Sequence, residues 1–176
     1  MKMSVERGNG GGALELVQEA DTLIAAILRP GRWPQRKTVQ KFMEDNRLEK
    51  VLTLYTAAME LDPDEPSYPW NLASTLRRLG LNDLALAFIE RALRVGTRVE
   101  PEEWSTPGIY LAWADTAIEA GQYDVALIPI AHAMKMKEEH PDVVPSAKQL
   151  LRVIKRNKQS KNPAKDLADE LGSIPA

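Results

Sequence analysis

One spacing constrains this chain more than any other feature. Tyr55/Ala58/Met59, Ile89/Ala92/Leu93 and Ile130/Ala133/Met134 share a pattern: a bulky residue, an alanine three positions on, then a large apolar residue. The alanines lie 34 and then 41 residues apart. Seven positions before each alanine stand Val51, Ala85 and Ala126; twelve before, Asn46, Gly80 and Gly121. Sixteen before stand Phe42, Leu76 and Ala117, and nineteen before, Val39, Ala73 and Ala114. Two antiparallel helices approach closely only where small side chains let their backbones meet, with larger ones filling the space around them. The spacing therefore predicts helix pairs in which Ala73 faces Ala85 and Ala114 faces Ala126. Ala92 and Ala133 then admit the first helix of whatever follows. Glycine at the turn accepts the positive φ that closes such a pair. The seven extra residues of the second interval fit the loop-like stretch "VGTRVEPEEWSTPG", Val95 to Gly108.

Helical periodicity runs through the rest of the chain, and alternating strand segments closed by tight turns are missing from it. A first helix is predicted over 13–29, ended by Pro30 and Gly31. A second opens at "RWPQ", with Pro34 in its first turn, and covers Thr38 to Asp45. Leu48 to Leu61 follows, stopped by Pro63 and Pro66. Further helices are predicted at 69–79, at 83–95 with Asn82 or Asp83 as cap, at 108–119, at 123–137 with Asp124 as cap, at 146–157 and at 164–171. The organisation expected is a flexible lead over 1–12, an N-terminal helix over 13–30, three repeats over 34–138, a C-terminal capping helix over 139–160 and a tail over 161–176.

Composition narrows the function classes. The chain has 176 residues, 44% hydrophobic and 27% charged, enough for one domain with a sizeable core. It has no cysteine, so disulfides, thiolate metal sites and cysteine nucleophiles are excluded. A net charge of -2 gives no global footprint for nucleic acid. The longest apolar run, Leu23 to Leu28, is too short to span a bilayer, and the first residues lack the apolar stretch of a signal peptide. The expected setting is cytoplasmic.

The repeats "PWNLASTLRRLGLNDLALAFIERAL" and "YLAWADTAIEAGQYDVALIPIAHAM" resemble the tetratricopeptide repeat, whose period is about 34 residues. "KTVQKFMEDNRLEKVLTLYTAAMELDP" is a degenerate third copy. Thr38 stands where leucine is usual and Asn46 where glycine is, while Pro63 closes the repeat as the family pattern expects. The resemblance implies an all-α fold: a right-handed superhelix of antiparallel helix pairs, an α-solenoid with N- and C-terminal flanking helices. It also implies a concave groove lined by the first helix of each pair, holding a peptide or helix of a protein partner. Carried onto this chain, the groove residues are Arg36, Lys37, Gln40 and Met43 in the first repeat. They are Trp70, Asn71, Ser74, Arg77 and Arg78 in the second, and Leu111, Asp115 and Ile118 in the third.

One variant of the family grips the terminal carboxylate of chaperone peptides with lysine, asparagine and arginine. Arg36, Gln40 and Asn71 stand at three of those positions, but Gly108 and Ala112 stand where cations are needed, so the clamp is incomplete. Arg36, Arg77 and Arg78 still favour an acidic segment, because guanidinium binds carboxylates in a forked geometry.

Other features read as structural. Trp70 is either a groove hot spot or packing against Tyr68 and the first repeat. Trp113 takes a core position, and Trp33 and Trp104 pin loops or widen a binding rim. Pro129 inside a helix is expected to remove one hydrogen bond and kink the helix. The cations of "KQLLRVIKRNKQSKNPAK" suit the solvated face of a capping helix whose other side carries Leu150, Leu151, Val153 and Ile154. His132 and His140 lack the spacing of a helical metal site, "GNGGG" lacks the residues of a phosphate loop, and no nucleophile elbow occurs. The sequence thus points to a non-enzymatic adaptor without cofactor or metal, binding a protein and neither nucleic acid nor a membrane interior. The alternatives are an assembly or secretion chaperone for one client, and a structural subunit forming homo-oligomers through its first helix.

Overall fold

The protein is seen in a computed structural model, described over residues 10–28 and 34–160. Every regular element among the described residues is a helix: α1 Gly10–Ala25, α2 Arg36–Glu44, α3 Arg47–Leu61, α4 Ser67–Arg78, α5 Asn82–Val99, α6 Pro101–Trp104, α7 Pro107–Glu119, α8 Tyr123–Lys135 and α9 Val143–Ser160. They fall into two compact units, Met1–Ser105 and Thr106–Ala176. The helix expected over 164–171 lies outside the described residues.

The turns of the repeat form as its spacing requires. Gly80 (φ 76°), Gly121 (φ 73°) and Asn46 (φ 56°) occupy the same register and all adopt the left-handed conformation. Asparagine is the non-glycine residue that enters this region most readily, which explains how it replaces glycine in the first copy. The two glycine turns close identically. Gly80 N–H donates to Arg77 and Leu81 N–H to Leu76; Gly121 N–H donates to Ile118 and Gln122 N–H to Ala117. This pairing satisfies carbonyls that a helix end would otherwise leave open.

It also fixes where the next helix starts. Leu81 and Gln122 take the N-cap positions of α5 and α8, with no side-chain cap bond at either. The capping expected of Asn82, Asp83 and Asp124 is therefore corrected: all three lie within the first turn. Asp124 instead pairs with Lys158 on α9.

In the first unit, α3 packs against α1, α2 and α4, α4 packs against α5, and α5 against α6. The small residues behave as their spacing demands: Ala58, Ala85 and Ala92 are fully buried, and Ala73 is 1% exposed. The main partner of α3 differs from the expected one. The repeat pairs α3 with α2, yet its most extensive packing is with α1. The cause is the composition of α2. It has nine residues, four of them Arg36, Lys37, Lys41 and Glu44, and buries Phe42 alone. Ala13, Val17, Ala20 and Ile24 of α1 supply the apolar stripe that α2 lacks. Tyr55 Oη donates to Asp21 at 2.8 Å and Lys50 pairs with Glu19 at 2.6 Å, two polar ties between the first part of α3 and the second half of α1. Gly10–Gly12, expected in the flexible lead, form the first turn of α1. Residues 1–9 and the Pro30–Gly31 stop lie outside the described residues.

The loop expected after residue 95 is largely helical. α5 runs on to Val99, and Pro101–Trp104 forms the short α6. In the second unit α7 and α8 pair closely, and α9 packs against both. Ala114, Ala117, Ala126 and Ala133 are fully buried there. The inner stripe of α9 is Val143, Ala147 and Ile154, with Leu150 half-buried; Leu151, expected on that stripe, is 40% exposed. Pro129 is buried within α8, which continues through it.

Candidate functional site

The residues expected to meet a partner fall on three helices. Arg36, Gln40 and Met43 lie on α2 and are exposed, Met43 by 44%. The Gln40 amide donates to Glu44 at 2.9 Å, one turn along the same helix. On α4, Asn71 and Ser74 are exposed, while Trp70, Arg77 and Arg78 are half-buried. Both arginines already hold polar or electrostatic contacts within the protein. α2 and α4 both pack on α3, and they make no extensive contact with each other.

Leu111 and Asp115 lie on α7 in the second unit, both half-buried, and Asp115 is also engaged in an interaction. Ile118 is 9% exposed and belongs to the core, which corrects its assignment to a binding surface.

The indole of Trp70 meets that of Trp104 edge to face, with ring centroids 5.6 Å apart and planes at 86°. This is the T-shaped arrangement that aromatic quadrupoles favour. Trp104 is 9% exposed and rests on Gly96 of α5. It thus pins α6, and it also packs against the indole of Trp70. Trp113, expected in the core, is half-buried, and its Nε1 is buried without a hydrogen-bond partner. Trp33 lies outside the described residues.

Two features escaped the sequence reading. Tyr110 on α7 stacks on His132 of α8, centroids 5.1 Å apart and planes at 17°. Their separation of 22 positions carries no local signal, and only the pairing of α7 with α8 brings them together. The second is a cleft of about 370 Å³ in the first unit, lined by Ile27, Lys37, Thr38, Lys41, Phe42, Asp45 and Arg47. Lys37, expected beside Arg36, faces this cleft. The spacing of Lys37 and Lys41, one helical turn, was the signal available for it.

Charge chemistry elsewhere is structural. Burial, then the hydrogen bond to Asp21, raises the Tyr55 hydroxyl well above the usual tyrosine range. Burial, then the charges of Asp62 and Glu65, raises Tyr68. Among the described residues no cluster of three or more His, Asp or Glu side chains is placed to hold a metal, and no helix is long and apolar enough to cross a membrane. No protein-family model matches the chain, and comparison with curated proteins finds no match.

Proposed function

We propose that this chain is a tetratricopeptide-type adaptor that holds a peptide or helix of a partner protein without chemical turnover. Its helix pairs, in this reading, stack as a right-handed superhelix. The observation that carries the proposal is the shared register of the turns: Asn46, Gly80 and Gly121 adopt one backbone conformation at one repeat position. The small residues at the register positions between them are buried as the repeat demands.

In such a scaffold the second helix of each pair is committed to packing, and the first presents side chains outward. α4 fits this division. Leu72, Ala73 and Leu76 are buried while Asn71 and Ser74 are exposed, flanked by Trp70, Arg77 and Arg78. Amide, hydroxyl and guanidinium groups beside an indole edge suit a polar or acidic segment carrying an apolar anchor.

The self-assembling alternative is less favoured, because α1 packs most extensively on α3 and buries Ala13, Val17, Ala20 and Ile24, leaving Leu14 exposed. Affinity capture from native extract, read by mass spectrometry, tests the adaptor. Wild-type protein should retain a defined partner, and Trp70→Ala and Arg77→Glu should each weaken that retention. If both variants, folded by circular dichroism, keep every partner at full strength, the proposal fails.

A further inference from the structure

We infer that the cleft between the turn that follows α1 and the α2–α3 hairpin is a second docking point, receiving an acidic side chain and a neighbouring apolar side chain from within a partner segment. The inference rests on the adaptor reading but on a different surface from the exposed face of α4. Three cations, Lys37, Lys41 and Arg47, line the cleft against one carboxylate, Asp45. Arg47 and Asp45 pair loosely at 3.6 Å. Lys37 and Lys41 form no ion pair among the described residues, and their Cβ atoms stand about 5–6 Å apart on one face of α2. Among the described residues the surplus charge is thus two ammonium groups on one rim.

The floor is apolar: Phe42 is 2% exposed and Ile27 half-buried, and Thr38 adds a hydroxyl. A ligand matched to this site carries carboxylate beside hydrocarbon. The carboxylate of Asp45 disfavours a dianionic phosphoryl group, because like charges in one cleft repel, whereas single carboxylates spaced along a segment reach the lysines and avoid it. The lysine rim is solvent-exposed. An open cleft suits a side chain anchored by its own backbone better than a free small molecule, which needs most of its surface enclosed.

The probe is a fluorescent peptide with leucine at its centre and two glutamates on each side, acetylated and amidated so that its only carboxylates are side chains. Binding to the full chain is read by anisotropy at low salt. The expected result is saturable binding that Lys37→Glu with Lys41→Glu weakens about tenfold or more. Lys155→Glu with Arg156→Glu, an equal charge change on α9, should leave it intact. Replacing the glutamates by glutamine, or the leucine by alanine, should weaken binding as well. The inference is overturned by absence of binding at millimolar peptide, by equal binding of the glutamine peptide, by displacement with equimolar inorganic phosphate, or by loss of binding in the α9 variant. If peptide binding follows Trp70→Ala and ignores Lys37 and Lys41, the cleft is excluded while the adaptor reading stands.

Discussion

Trp104 sits where a side chain on Gly96 would have to be: a Cβ added to Gly96 falls 2.1 Å from Cγ of the indole. The glycine, in the last turn of α5, a residue type unfavourable by up to about 1 kcal/mol relative to alanine within a helix, is a socket for the ring. Gly96→Ala should therefore reverse the usual sign of a glycine-to-alanine change in a helix. It should lower stability by about 1–3 kcal/mol through overpacking, with a red shift of tryptophan emission as Trp104 is displaced. Gly96→Ala combined with Trp104→Ala should cost less than the sum of the two, since the clash vanishes with the ring. Urea melts of the four proteins check both statements.

The turn register makes a prediction by sign. Gly80→Ala and Gly121→Ala force a Cβ into the left-handed region and should each destabilise by about 1–2 kcal/mol. Nothing lies within 4 Å of a Cβ built at Gly80, so backbone strain alone accounts for its loss. Asn46→Gly should change stability by less than about 1 kcal/mol, because relieved strain and added chain entropy oppose each other. Thermal melts of the three variants distinguish these outcomes.

α1 is structural in this account. Val17→Glu should disrupt the first unit, because it places a carboxylate in the stripe that covers α3. Asp124→Ala on the exposed pair with Lys158 should shift stability by less than about 1 kcal/mol. Circular dichroism melts of both should separate a core helix from a surface ion pair.

Tyr55 supplies a pH dependence. Its hydroxyl is held above the ordinary value of 10.0 in the folded protein, so above that pH the unfolded chain releases a proton that the folded chain retains. Through this group stability should not vary well below pH 10.0 and should fall as pH rises beyond it. Tyr68 acts in the same direction. Tyr55→Phe should lose about 1 kcal/mol at neutral pH with the Asp21 hydrogen bond, and show a shallower alkaline decline. Urea melts at about pH 8 and pH 11, on either side of the usual tyrosine pKa, measure both effects.

The helices were legible in the sequence because their small residues and turn residues recur at fixed intervals. Ala73, Ala85, Ala114 and Ala126 needed no tertiary information to be placed inside. The exchange of α1 for α2 against α3 was not legible from the interval alone, since Val39 and Phe42 keep the register while the charges around them remove the face. α6 was hidden by its proline and glutamates, which read as loop until Trp104 found Gly96. At the candidate site, the exposure of Asn71 and Ser74 follows from their positions beside buried Leu72 and Ala73. The edge contact between Trp70 and Trp104 required knowing how α6 returns to α4, and the cationic cleft required knowing where α1 ends.

The adaptor claim is tested most directly by hydrogen–deuterium exchange on the full chain with and without its captured partner, resolved to single helices. The account predicts new protection on α4, centred on Trp70 to Arg78, with α3 and α5 unchanged. Protection confined to α5 or α8, with α4 exchanging as in the free protein, would contradict it.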